Sequence, residues 1–288
     1  MATPTRHLPD ASVAIPTRNR ADSLARTLSA LQASELADGL RVDVIVVDNG
    51  STDHTAEVVG RAAAESPFPI HYHYEAAPGI SHARNRALAV LEAPLVLFTD
   101  DDCLPATDWI TRMLELFRAQ PTLALVGGRV VLHNPLDSPA FTTHTETHFE
   151  FAHGSDYLTH TLMGANMAAR ASALQSVGAF DTALGAGSRC NVAGEDFDMV
   201  YRLVQAGCHV AFDPAPVVAH DHGRRLKDDV ARTLGQAHAG VGAVLAKHAY
   251  GDRKLIHCGY WTMRQMARQG QWRHVYHLCR GALSRLRA

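Results

Sequence analysis

Cysteine is scarce and scattered in this chain: five residues in 288, at Cys103, Cys190, Cys208, Cys258 and Cys279, with no Cys-x-x-Cys pair among them. An odd, unspaced set is a poor disulfide framework, and a reducing compartment is its simplest setting. No apolar run approaches the roughly 18 to 20 residues that a membrane-spanning helix needs. The stretch from Met1 to Pro16 lacks the apolar segment of a secretory signal. Internal repeats and low-complexity segments are missing too. With histidines neutral the net charge is only −2, which excludes the strong basic excess of a general nucleic-acid binder. These absences lead to the expectation of a cytoplasmic protein, soluble or at most resting on the inner face of a membrane.

What is present fits a folded domain. Hydrophobic residues make up 47% of the chain and charged residues 19%, enough apolar surface to bury a core. The length allows one large domain, or one domain with a smaller appendage. The charge is unevenly spread. From Asp252 onward eight basic residues face a single acid, leaving an acidic body and a basic tail. Such a tail is expected to meet something anionic, and two readings stand: an amphipathic Arg- and Trp-rich surface resting on anionic lipid, or a helical cap packed on the body with its arginines solvated.

The first half alternates two periodicities. Ser12–Ile15, Val42–Val47, Ile70–Tyr74 and Leu95–Phe98 read as strands, the second of them an apolar β-branched run of the kind covered on both faces. Between them, Asp22–Ala33 repeats leucine at Leu24, Leu28 and Leu31, and Asp53–Ala64 and Ser81–Leu91 read as further helices, Gly79 supplying the turn before the last. Alternation of this kind implies a parallel sheet with right-handed crossovers. In such sheets the ligand crevice lies outside the carboxyl ends of the strands.

After Arg129 the regularity fades. Residues 133–160 are polar and hold His133, His144, His148, His153 and His160, without helical i,i+4 pairing or cysteine partners, so they make a poor metal cluster. Helices are expected near Ala171–Val177 and Glu195–Ala206, and over most of the last 60 or so residues.

Three polar clusters follow strands and are expected to converge on one cleft. They are Pro16-Thr17-Arg18-Asn19-Arg20, Asp48-Asn49-Gly50-Ser51-Thr52-Asp53 and Thr99-Asp100-Asp101-Asp102. Consecutive aspartates raise one another's pKa, and a divalent cation is the usual offset. Carboxylates favour hard ions such as Mg²⁺ or Mn²⁺, which complete their shell with phosphate oxygens and water. The competing reading, an acidic turn capping the next helix, is weakened because Asp108 is expected to cap the helix beginning at Trp109. Asp48 suits either a ribose contact or simple turn formation. Arg18 and Arg84 suit a diphosphate or plain surface charge. Glu195 and Asp196 open a helix, where acids sit for dipole reasons or to serve as a general base. His220 and His222 flank Asp221 after the β-like Val217–Ala219 and are expected to point the same way, so that one of them completes a metal shell.

Together these segments resemble the family-2 glycosyltransferases, which use the GT-A fold. The resemblance runs from about Ser12 to His222 through SVAIPTRNR, VIVVDNGSTD, PGISHARNRAL, LVLFTDDDCLP, GANMAARASALQSVGAFD and GEDFDMVYRL. Each motif alone is weak; seven pieces in order, with the histidine near position 220, are specific. The resemblance implies an α/β GT-A architecture: a mostly parallel sheet flanked by helices, with a helical C-terminal extension. The implied division is a catalytic domain over 1–225, its nucleotide-binding half about 1–130 and acceptor half about 131–225, and a helical extension over 226–288. It also implies Pro16, Thr17, Arg18, Asp48, Arg84 and Asp100 around a nucleotide, usually a uridine, with Asp101 able to substitute in the Asp-x-Asp element. Asp102 and His220, favoured over His222, are the implied metal ligands for Mn²⁺ or Mg²⁺. Asp196 is the implied catalytic base, with Glu195 beside it contacting the acceptor. The implied reaction is an inverting transfer from a nucleotide-diphosphate sugar, a UDP-sugar by preference, to a glycan, lipid-linked, carrier-bound or small-molecule acceptor. A sugar nucleotidyltransferase would need a glycine-rich loop where Pro16–Arg20 holds no glycine. A non-catalytic donor-binding subunit would have no need of intact Asp102, Asp196 and His220.

Overall fold

The computed structural model of the protein describes residues 8–143 and 145–286; His144 and Arg287 lie outside them. The first half is built as the periodicities require. Strands β1 (Ala11–Thr17), β2 (Val42–Asp48), β3 (Ile70–Tyr74) and β4 (Leu95–Phe98) alternate with helices α1 (Ala21–Gln32), α2 (Thr55–Glu65) and α3 (Ile80–Val90). They pair in parallel in the order β3-β2-β1-β4. Chain direction across the sheet reverses at β1, so the crevice opens at the ends of β1 and β4. Thr17 and Asp48, the last residues of β1 and β2, stand side by side in register.

The second half comprises β5 (Cys103–Pro105), α4 (Trp109–Ala119), β6 (Leu123–Leu132), β7 (Phe149–Glu150), β8 (Met167–Arg170), α5 (Ala171–Val177), α6 (Glu195–Gln205) and β9 (His209–His220). β8 enters antiparallel between β4 and β6, and β9 runs parallel to β6, so the sheet as a whole is mixed. Two long strands lie where the sequence shows little order. β6 runs through Gly127-Gly128 and β9 through Asp213-Pro214-Ala215-Pro216, and both interruptions hide the strand period. The glycines have a packing cause: a Cβ on Gly127 would meet Leu162, and one on Gly128 would meet Asn166 and the Pro216 carbonyl. The pairing of β6 with β9 is irregular at this point.

Alternate residues of each strand feed two cores. Val13, Ile15, Val44, Val46 and Leu97 pack with Leu24, Leu28 and Leu31 of α1 and Trp109 and Met113 of α4. Ala14, Ile45, Val47, Val96 and Phe98 pack on the other face with Ala83 and Ala87 of α3 and Phe197 and Val200 of α6. Truncating Leu28 to alanine in such a setting costs about 2–5 kcal/mol.

Three helices complete the chain: α7 (Lys227–His248), α8 (Arg253–Arg268) and α9 (Trp272–Leu286). Ala239, Ala243 and Val244 of α7 and Leu255 of α8 enter the second core. α7 crosses the start of α6 closely, since a Cβ on Gly240 would collide with Ala193, and it meets α9 where Gly281 faces the Ala239 carbonyl. Ion pairs fasten the join: Lys247 to Asp181 and Asp198 at 2.7 Å each, and Arg285 to Asp181 at 3.0 Å. Among the described residues no helix is long and apolar enough to cross a membrane.

One local expectation is corrected. α4 begins after Asp108, but the Asp108 side chain makes no capping bond; it pairs instead with Arg112 at 3.0 Å, one turn on. An i,i+4 guanidinium offers the carboxylate a second partner in place of the helix N–H groups.

Candidate active site

The acid run leaves β4 and turns directly into β5, which pairs antiparallel with the end of β9. That pairing sets Cys103 opposite His220 and closes a gap of 118 residues, so that His220 Nε2 lies 3.3 Å from Asp102 Oδ1. Side-chain exposure falls along the run, from 28% at Asp100 to 7% at Asp101 and 3% at Asp102. Asp100 alone therefore faces open space to any extent.

Each of the three carboxylates has its own partners. Burial alone would raise Asp102; the hydrogen bond from His220 and the nearby Arg20 guanidinium overcome it and hold Asp102 well below the usual carboxylate range. Arg20 reaches the other Asp102 oxygen at 2.8 Å and Asp101 at 3.4 Å. Burial pushes Asp101 up to about 7, against the opposing charge of Arg20 and the hydrogen bond donated by Thr17 at 2.8 Å. Burial also raises Asp100, with Arg84 opposing.

The two histidines share a side, their ring centroids 4.9 Å apart, but they do different things. His220 Nδ1 lies 3.4 Å from the Phe141 carbonyl, which orients the ring and turns Nε2 to Asp102. His222 accepts the Arg224 N–H at Nδ1, at 2.9 Å, and so carries its proton on Nε2, 3.2 Å from the Ser138 carbonyl. Both of its ring nitrogens are thereby used in holding a loop.

Asp102, Cys103 and His220 bring ligand atoms within 4.8 Å of one another. The carboxylate suits Mn²⁺ or Mg²⁺, whose shell diphosphate oxygens and water could complete, and the imidazole favours Mn²⁺ of the two. Burial pushes the Cys103 thiol well up, so it stays protonated and is a weak third donor. The other described histidines disperse: His148 sits 3.3 Å from Asp213, His153 supports the turn at Ser155, and His160 stacks on Phe149. His133 uses its backbone, its N–H reaching the His220 carbonyl.

Arg84 occupies a place that single-residue reasoning missed. Its side chain is 2% exposed, with Nη1 2.8 Å from Glu195 and Nη2 3.4 Å from Asp100. Phe180 lies against its guanidinium, and a Cβ on Gly164 would collide with it. Arg84 thus links the acid run to the first turn of α6. Burial and the neighbouring Asp196 raise Glu195, and Arg84 opposes them. Asp196 is half-buried; its Oδ2 accepts the Gly164 N–H at 3.3 Å, and Tyr157 is buried beside it.

The residues expected around a nucleotide divide. Arg18 is exposed at the end of β1, Pro16 is buried in register with Val47, and the Thr17 hydroxyl is engaged by Asp101. Asp48 is buried and serves its turn, accepting the Ser51 N–H at 2.7 Å and the Tyr72 hydroxyl at 2.8 Å. Burial first, and then the contact with Asp48, push Tyr72 up to about 12. Tyr72 and Tyr157 carry no signal in the sequence, and Arg20 enters there only as the last residue of the first polar cluster. The strand alternation of Ile70–Tyr74 placed Tyr72 on the same face as Tyr74, but it carried no signal of an Asp48 partner.

A parallel first half, a mixed second half and an acid run at the switch point together define the GT-A glycosyltransferase fold. The chain belongs to glycosyl transferase family 2, whose model matches residues 12–178. It is 32% identical over 237 residues to the pre-mycofactocin glycosyltransferase of Mycobacterium tuberculosis, covering 77% of this chain and 45% of that protein. The chain thus spans about half the length of that curated relative. Its fold is shared with the mannosyltransferase PcManGT from Pyrobaculum calidifontis, solved in complex with GDP-Man and Mn²⁺ (TM-score 0.69, 19% identity, 98% of this chain and 88% of that one). It is shared also with S. aureus TarS 1-349 in complex with UDP (TM-score 0.55, 16% identity, 83% of this chain and 70% of that one).

Proposed function

We propose that this glycosyltransferase moves a sugar, with inversion, from a nucleoside-diphosphate sugar to an acceptor hydroxyl, using a divalent ion and an aspartate base. The observation that carries the reading is the meeting of Asp102 and His220 at 3.3 Å beside the strand ends where a diphosphate would lie. A UDP-sugar is the favoured donor, on the family resemblance and on the UDP complex of TarS; the GDP-Man complex of PcManGT marks guanosine donors as the competitor.

Asp102 and His220 would hold the ion, and Thr17, Arg18 and Asp48 would frame base and ribose, with Pro16 fixing the backbone before them. Asp100, the open member of the run, reaches toward the ribose, and Asp101 is its stand-in. Bound Mn²⁺ or Mg²⁺ would offset the charge that develops on the departing diphosphate. Asp196 takes the acceptor proton as the acceptor oxygen bonds to the anomeric carbon and the bond to the diphosphate oxygen breaks. Glu195, steadied by Arg84, contacts the acceptor. A single displacement through an oxocarbenium-like transition state inverts the anomeric centre. In this reading residues 1–225 form the catalytic unit and 226–288 its helical extension, and the enzyme is cytoplasmic, soluble or peripheral at the inner face of a membrane. The acceptor is a glycan, lipid-linked, carrier-bound or small-molecule hydroxyl.

A thermal-shift screen of UDP- and GDP-sugars with and without Mn²⁺ tests the donor side, because a ligand of the folded state raises apparent stability by mass action. No shift with any activated sugar and any cation would end the reading. On the base side, Asp196→Asn should lower turnover by about 10²–10⁴-fold while donor binding survives.

A further inference from the structure

Large exposed apolar side chains are concentrated on α8 and α9. Of the twelve in the described chain, six lie there: Ile256, Tyr260, Trp261, Trp272, Tyr276 and Leu283, with exposures of 43–66%. Their spacing is helical. Ile256 and Tyr260 are one turn apart on α8, and Trp272, Tyr276 and Leu283 follow one stripe of α9. The same two helices carry Arg253, Lys254, Arg264, Arg268, Arg273 and Arg280, all exposed, with the Arg264 guanidinium 4.7 Å from the Trp261 ring centroid. Neither helix contains an acid, and among the described residues none of these six cations has a carboxylate partner. Arg285 and Lys247, by contrast, are spent on Asp181 and Asp198, docking the helices to the body.

The apolar surface continues inward. A groove of about 260 Å³ between α7, α8 and α9 is lined by Leu245, Leu255, Tyr260, Met263, Leu278 and Cys279, and Tyr260 and Cys279 also belong to the exposed surface. On the α7–α9 side a second concavity of about 360 Å³ is lined by Lys227, Arg273, His274 and His277. Two exposed helices thus carry basic and aromatic side chains, and both concavities, shared with α7, adjoin them.

We propose that the α8–α9 face seats the protein on an anionic phospholipid bilayer: Trp272, Tyr276, Trp261 and Tyr260 lie in the headgroup layer, the arginines meet lipid phosphates, and the groove takes apolar lipid chain. Charge complementarity selects this occupant. The rest of the chain is acidic, yet among the described residues it pairs with none of these six cations, and interfacial surfaces are marked by this mixture of Trp, Tyr and Arg. The inference gives the peripheral placement in the functional reading a defined surface. Its test uses no donor, so its failure leaves the transferase assignment standing.

The experiment is co-sedimentation of the full chain with phosphatidylcholine vesicles, with and without phosphatidylglycerol, at low and high salt. Binding is expected only to the anionic vesicles, with release at high salt. The triple variant Arg268→Gln, Arg273→Gln, Arg280→Gln should lose on the order of 100-fold in affinity. Trp272→Ser with Tyr276→Ser should weaken binding at low salt while leaving its salt dependence in place. All five positions are exposed, so unchanged melting temperatures are expected, and these separate lost contact from lost fold. Three results would each overturn the proposal. The first is no binding to anionic vesicles at low salt, and the second is binding that neither variant weakens. The third is a wild-type dimer in solution that Trp272→Ser with Tyr276→Ser dissolves, which would give the face to a second copy.

Discussion

Arg20 and Asp102, 82 residues apart, form a 2.8 Å ion pair at the mouth of the acid run, on the oxygen that His220 leaves free. Arg20 is thus a resident cation at carboxylates proposed to hold a divalent one. Replacing it with glutamine removes a competitor for Mn²⁺ and also a charge that a diphosphate would meet. Arg20→Gln should tighten Mn²⁺ binding by about tenfold, the worth of one charged hydrogen bond, and weaken binding of the nucleoside diphosphate. Electron paramagnetic resonance of free Mn²⁺ and calorimetry with the nucleotide read the two effects. Weakening of both would mark Arg20 as merely structural.

His220 and His222 offer a paired comparison. Loss of even an outer-shell partner costs roughly 10- to 100-fold in metal affinity, so His220→Ala should cost no less. His222→Ala should leave Mn²⁺ affinity alone, because both ring nitrogens serve the loop at Ser138 and Arg224. Its effect should be on stability, read in a denaturant melt.

Arg84 joins two parts of the site, and its removal strands two acids. Arg84→Gln leaves Glu195 buried without its cation, at a cost of about 3–5 kcal/mol in denaturant unfolding. Arg84→Lys keeps the charge but lacks the fork that spans Glu195 and Asp100, so it should recover part of the stability and little of the turnover. Full activity in the lysine variant would mean that the bridge is unimportant.

Asp198 sets a pH dependence. It is fully buried, and burial would raise it, but His248, Arg202 and Lys247 hold it well below its ordinary range. A carboxyl depressed on folding contributes stability that is complete above its unfolded pKa of about 3.9 and is lost as pH falls toward the folded value. The melting-temperature gap between wild type and Asp198→Asn should therefore be constant near neutrality and shrink as pH drops below about 4. Asp181 also faces Lys247 and is itself depressed, so part of the acid loss should survive in the variant.

Much of the fold's first half was legible in the sequence, because Val42–Val47 and the Leu24–Leu28–Leu31 repeat carry clean periods. The second half was less so. Gly127-Gly128 breaks the pattern of β6 because Leu162 and Asn166 press against those positions, and prolines interrupt β9; both causes are tertiary. The same limit held at the site. The acid run and the Glu195-Asp196 pair announced themselves, but Thr17 gave no sign that its hydroxyl would go to Asp101, nor Asp48 that Tyr72 would reach it.

The sequence by itself determined which chemical groups are present and where the chain turns, since strand and helix periods and runs of like charge are local properties. Only the tertiary structure set His220, and not His222, against Asp102, gave Arg84 its two carboxylates, and set Arg20 on Asp102. The pairings of Arg20 with Asp102, Arg84 with Glu195 and His220 with Asp102 span 82 to 118 residues, and their geometry is fixed by strand register and packing that no local pattern encodes.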